Sequence, residues 1–187
     1  MSRYPDRQST ALKWYDYSSA GRYVVTICTH DRDHAFGEIK AGRMYFSEVG
    51  RIVRTLWYSL PDRFLGVHLD SFVLMPNHLH GIIIIPCRHL NVENMPARFQ
   101  PYMRTMMQEQ HPELKKYKPP TIGTIIRQYK GAATYQIHKA GFKDFAWHDR
   151  YWKSVLFTEA ALQRVRRYIY ENPQNWGKDK LYKAPKR

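Results

Sequence analysis

Residues 67–86 constrain the fold more than any other stretch of the chain. They read VHLDSFVLM, then Pro76-Asn77, then HLHGIIIIP. Each flank has strand length and is rich in β-branched and large apolar residues. Pro76-Asn77 breaks the pattern and prescribes a turn. Two strands joined by so short a link pair antiparallel, because a parallel pair needs a long crossover connection. The isoleucines at 82–85 give the second strand a buried, central position.

The remaining elements fall around this pair. Residues 23–30 (YVVTICTH) read as a strand, and 36–46 as a hairpin turning at Lys40-Ala41-Gly42. Ser47 is placed to cap a helix marked by Val49, Ile52, Val53, Leu56, Trp57 and Leu60, with Pro61 as its stop. From Thr121 a second helix carries Ile122, Ile125, Ile126, Tyr129, Ala132, Ala133 and Ile137 on one side. Arg127, Lys130 and Lys139 lie on the other. Residues 147–157 form a strand dense in rings and cations, and 159–172 a last helix ended by Pro173. The order is strand, hairpin, helix, two strands, helix, strand, helix. It predicts an α+β domain over 21–176, an antiparallel sheet with helices packed on one face. Residues 1–20 read as a polar arm. Residues 88–120 read as an insertion, with a short helix over 101–110. Residues 177–187 read as a basic tail that frays.

Charge narrows the partner. Among 187 residues, 30 Lys and Arg outnumber 16 Asp and Glu, a net charge of +14. An excess of that size suits a polyanion, since each neutralised phosphate releases a counterion. The 14 tyrosines and 5 tryptophans suit unpaired bases, which stack on rings. A basic protein with no nucleic-acid role is the plainer alternative. Cys28 and Cys87 have no metal-site spacing and form no disulfide framework, as expected of free thiols in a reducing compartment. The first residues hold no apolar signal region, and the apolar stretch 81–86 is too short to span a bilayer. A cytoplasmic, nucleoid-associated location follows as the expectation.

The chemistry concentrates in Pro76-Asn77-His78-Leu79-His80. Residues i and i+2 of a strand share a face, so His78 and His80 project together while Leu79 turns to the core. Two imidazoles on one face can hold a divalent metal, though they also fit a pair of surface histidines. His68 and Asp70 on the preceding strand are candidates to brace them. On the last helix, Tyr168 and Asn172 are four apart and lie beside the stripe Leu162, Val165, Ile169, whereas Tyr170 points to solvent. Tyr168 is thus the tyrosine at the buried edge, a reading that a packing tyrosine would also satisfy. Arg150, Trp152 and Lys153 alternate charge with rings, and Arg164 and Arg167 precede Tyr168. With Arg127, Lys130 and Lys139 these are the candidate DNA contacts, each also explicable as a solvated cation.

The chain resembles the single-tyrosine HUH transposases, within the REP-associated tyrosine transposase group. The likeness runs through Tyr15-Asp16-Tyr17-Ser18, Val25-Thr26-Ile27-Cys28-Thr29 and Phe36-Gly37-Glu38-Ile39. It continues through Met75-Pro76-Asn77-His78-Leu79-His80-Gly81, Gly123-Thr124-Ile125-Ile126 with Tyr129-Lys130, and Tyr168-Ile169-Tyr170-Glu171-Asn172-Pro173. The resemblance implies a ferredoxin-like fold. It implies that His78 and His80 bind Mg²⁺ or Mn²⁺, that Tyr168 is the nucleophile, and that Asn172 stands where relatives place a polar third ligand, often Gln. It further implies a 5′-phosphotyrosine intermediate on single-stranded or hairpin-forming DNA, with the protein acting as a monomer or a homodimer.

Two other readings fit the residues. One is a non-catalytic nucleic-acid binding protein of ferredoxin-like fold. The other is a metal-dependent hydrolase in which Tyr168 is structural. Lys153 and His148, on a strand expected near the site, are candidates for taking the tyrosine proton.

Overall fold

A computed structural model describes residues 20–85 and 119–184. Most of the arm, nearly all of the insertion with its expected helix, Cys87 and the last three residues lie outside the described part.

The chain enters through β1 (Gly21–Thr29) and a hairpin of β2 (Gly37–Lys40) and β3 (Arg43–Phe46). Helices α1 (Glu48–Tyr58) and α2 (Leu60–Arg63) lead to β4 (His68–Met75) and β5 (His78–Ile85). After the undescribed stretch come α3 (Ile122–Lys139), β6 (Trp147–Val155), α4 (Glu159–Glu171) and a 3-10 turn over Asn172–Lys178. The main sheet has the order β4-β5-β1-β6, every neighbouring pair antiparallel. β5 therefore inserts between β1 and β4, and β1 between β5 and β6. These two interleaved split β-α-β units make the α+β, ferredoxin-like arrangement expected.

Local chemistry sets the element starts. Ser47, Thr121 and Thr158 each stand at an N-cap, and each side-chain oxygen accepts from the backbone N–H three residues on. Pro76-Asn77 is the whole link between β4 and β5, with Met75 paired to His78. α1 stops at Tyr58, just before Pro61 as expected, and Pro61 itself sits in the first turn of the short α2, where a missing N–H costs nothing.

Both faces of the sheet are covered, by different helices. Tyr23, Val25, Ile27, Leu79, Ile83 and Ile85 meet α1 and α3 in the main core. Val24 and Ile82, pointing the other way, pack against Leu162, Val165 and Ile169 of α4. The expected single helical face thus holds for α1 and α3, while α4 takes the opposite one. The reason is in the strands: β1 and β5 carry apolar residues at odd and even positions alike, so each face needs a cover. Gly81 is fixed by the main core, because a Cβ there would come within 2.2 Å of the Trp57 ring. No helix among the described residues is long and apolar enough to cross a membrane.

Candidate active site

The face under α4 carries the polar chemistry. His78 and His80 share it, with ring centroids 4.7 Å apart. His78 is wholly buried and His80 nearly so. Each ring is held by a neighbour through Nδ1. Asn77 Oδ1 lies 2.7 Å from His78 Nδ1, and Thr26 Oγ lies 2.8 Å from His80 Nδ1. A carbonyl oxygen can only accept, so His78 Nδ1 carries the proton and its Nε2 keeps a free lone pair. These bracing roles were expected of His68 and Asp70, and the structure moves both elsewhere. His68 pairs with Ile84, four residues along β5 from His80. Asp70 accepts from Arg166 of α4, at 2.9 Å to Nε and 2.5 Å to Nη2. Together with Arg166 they line a cleft of about 500 Å³ away from the histidine pair.

Tyr168 brings its hydroxyl to 3.2 Å from His80 Nε2 and 3.4 Å from Asp179 Oδ2. Its side chain is half exposed, whereas Tyr170 is 80% exposed and Asn172 only 3%. Helical spacing therefore orders these three as expected, with Tyr168 at the edge and Asn172 inside.

The sequence gives no warning of Asp179. The expected frayed tail instead folds back over the site. Asn77 Nδ2 donates to Leu181 O at 3.0 Å, and Leu181 N donates to Asp179 Oδ1 at 2.6 Å. His34 Nε2 donates to Lys183 O at 2.8 Å, and Tyr182 packs its ring on Trp176. These bonds and this ring contact hold the tail against the domain as far as Lys183. The Asp179 side chain is 2% exposed, with Oδ2 3.9 Å from His78 Nε2. Ligand atoms of His78, His80 and Asp179 lie within 4.8 Å of one another.

Two buried polar atoms here have no hydrogen-bond partner, His78 Nε2 and Asn172 Oδ1. Buried groups are rarely left so, since each carries its full desolvation cost. Lone pairs of this kind beside a carboxylate and a second imidazole form the nitrogen and oxygen donor set of a divalent cation. The donor set fits such an ion.

Electrostatics follow from burial. Burial holds His78 well below its ordinary pKa, helped by His80 and Arg32. It lowers His80 to about 4, against an opposing pull from Asp179. Both rings are therefore neutral at physiological pH, the form that ligates metal. Burial and then Asp179 raise the Tyr168 hydroxyl above its usual value. Cys28 is free, buried and raised by burial, an inert thiol.

The candidate DNA contacts divide between the two sheet faces. Arg164 and Arg167 are exposed on α4 with Tyr168. Arg150 is exposed on β6, and Trp152 is 41% exposed. Arg127, Lys130 and Lys139 belong to α3, on the far face, where Lys130 Nζ donates to His148 O at 2.8 Å. Lys153 pairs with Val25, whose side chain also faces that far core, and its Nζ lies 5.8 Å from the Tyr151 ring. Neither Lys153 nor His148 is among the groups bonded to the Tyr168 hydroxyl; Asp179 and His80 are.

No family model matches the chain. It is 34% identical to a Haemophilus influenzae protein described as uncharacterized, over 176 residues that cover 94% of this chain and 93% of that one. The fold is similar to that of a solved REP-associated tyrosine transposase bound to a REP hairpin, with a TM-score of 0.55 and 16% identity. The match covers 96% of this chain and 77% of the other.

Proposed function

This chain belongs to the same family as the Haemophilus influenzae protein, and we propose that it is a metal-dependent, single-tyrosine DNA strand transferase of the HUH transposase kind. One observation carries the reading. A half-exposed tyrosine places its hydroxyl on one histidine of a buried pair whose other histidine has an unpaired lone pair. At half exposure water could satisfy the hydroxyl, so packing alone does not require that neighbour.

His78, His80 and Asp179 would hold Mg²⁺ or Mn²⁺, with Asn172 Oδ1 as a further oxygen donor. Bound there, such an ion would supply Lewis acidity toward the scissile phosphate. Asn77 and Thr26 keep the two rings oriented for this. Both acceptors within reach of the Tyr168 hydroxyl, His80 Nε2 and Asp179 Oδ2, would serve as ligands, so its proton would leave to water at its half-exposed edge. The Tyr168 oxygen attacks phosphorus, and the bond to the 3′-oxygen breaks. That oxygen leaves as a hydroxyl after gaining a proton, and the 5′-phosphate stays on the tyrosine. Because the phosphoester is conserved, a 3′-hydroxyl reverses the step without a nucleotide cofactor.

The substrate would be single-stranded or hairpin-forming DNA. Arg150, Trp152, Arg164 and Arg167 would meet the strand being cut, and Arg127, Lys130, Lys139 and Lys153 the DNA passing to the far face. The work would take place in the cytoplasm at the nucleoid, by a monomer or a homodimer. Incubation with single-stranded DNA from the flanks of its own gene, with Mn²⁺ or EDTA, tests the reading on a denaturing gel. A metal-dependent adduct in wild type, absent from Tyr168→Phe, is the expected result. DNA binding with no adduct would instead favour a binding protein without catalysis. Cleavage that survives Tyr168→Phe would favour a hydrolase.

A further inference from the structure

We propose that Trp152 is a stacking platform for one unpaired base next to the reacting phosphate, so that the site selects DNA unpaired at that position. The location of the reacting phosphate rests on the strand-transferase reading.

The platform follows from strand register. Val73 pairs with His80, His80 with Thr26, and Thr26 with Trp152. Directly paired residues project to the same face. Trp152 therefore stands in one row with His80 and its Thr26 brace, on the face where Tyr168 lies. Two strand spacings separate the backbones of His80 and Trp152, about 10 Å. α4 packs on Val24 and Ile82 and on the β4 side of this face. Trp152 lies beyond it on β6, the edge of the sheet, and is 41% exposed. The contrast with Trp57 at 0% and Trp147 at 7% is sharp, since both of those fill the main core.

The surroundings indicate which flat apolar partner suits this ring. Arg150 is exposed two residues earlier on the same strand. Arg164 is exposed one helical turn before Tyr168, on its side of α4. Exposed cations on the strand of Trp152 and on the helix of Tyr168 match a phosphate backbone that carries bases onto a ring. In a duplex each base face is already stacked, so only an unpaired or extruded base is free to use the platform.

The test uses a Tyr168→Phe parent, so that binding is read without cleavage, and a fluorescein-labelled oligothymidylate read by anisotropy. A labelled duplex serves as comparison. Trp152→Ala is expected to weaken oligothymidylate binding about tenfold, the loss typical of one stacked base. Trp152→Phe should stay near the parent, and duplex binding should not change. Tyr135→Ala, removing a 64% exposed ring on α3, should change nothing. Equal oligothymidylate affinity in Trp152→Ala and the parent overturns the proposal, as does an equal loss for duplex and single strand. The strand-transferase reading is judged separately, by adduct formation with Tyr168 present. A chain that forms no adduct but shows the selective Trp152→Ala loss keeps the platform. A chain that forms the adduct with unchanged binding loses it.

Discussion

At the scale of single residues, the site depends on which nitrogen of each histidine is left free. Asn77 claims Nδ1 of His78, and its amide nitrogen reaches the tail at Leu181 O and the loop at Arg32 O. Asn77→Ala should therefore loosen the ring and weaken Mn²⁺ binding by about 10- to 100-fold, measured by calorimetry. Unchanged affinity would mean that the ring is fixed by packing alone. Asp179 and Asn172 both offer oxygen, but only the carboxylate brings charge. Asp179→Ala should cost more Mn²⁺ affinity than Asn172→Ala in the same titration. The reverse order would make Asn172 the principal third ligand. Helical spacing was enough to place Tyr168 and Asn172, and strand alternation enough to pair His78 with His80. Thr26 and Asp179 were not legible, because their contacts depend on which distant segments meet. Thr26 and His80 are 54 residues apart, and Asn77 and Leu181 are 104 apart. No local periodicity reports such a pairing.

At the scale of elements, β5 is the part on which the others are built. Its isoleucines serve two cores, and its glycine admits Trp57. Gly81→Ala forces a methyl against that ring and should destabilise by about 1–3 kcal/mol, read from the urea midpoint. An unchanged midpoint would show that Trp57 can move aside. The Asp70–Arg166 bond ties α4 to β4, and hence Tyr168 to the sheet. Arg166 holds the Asp70 carboxyl below its usual pKa. The bond's contribution is then full above the ordinary value of about 4 and fades as pH falls through the lower, folded value. Arg166→Gln should be less stable than wild type at neutral pH, with the two stabilities converging under acid. A gap that persists in acid would point to packing by Arg166 rather than its charge. The strands, the cap at Ser47 and the hairpin were readable from residue type. The position of α4 on the opposite face was not, since a helix's apolar stripe says that it is covered but not by which side of a sheet.

At the scale of the whole molecule, the sheet separates two surfaces. One holds Tyr168, the histidine pair and Trp152, while the other carries the cations of α3. The net charge of +14 predicts DNA affinity that falls steeply with salt. Replacing Arg164 by Ala should weaken binding across sequences and lower the salt slope by about 1. An unchanged slope would remove that side chain from the phosphate contacts. The central claim, that Tyr168 takes DNA covalently, is tested most directly by mass spectrometry of the denatured protein after incubation with single-stranded flank DNA and Mn²⁺. A mass increase equal to the downstream strand is expected on the peptide containing Tyr168, and none in Tyr168→Phe or with EDTA. Cleaved DNA with no added mass on any peptide would contradict that claim.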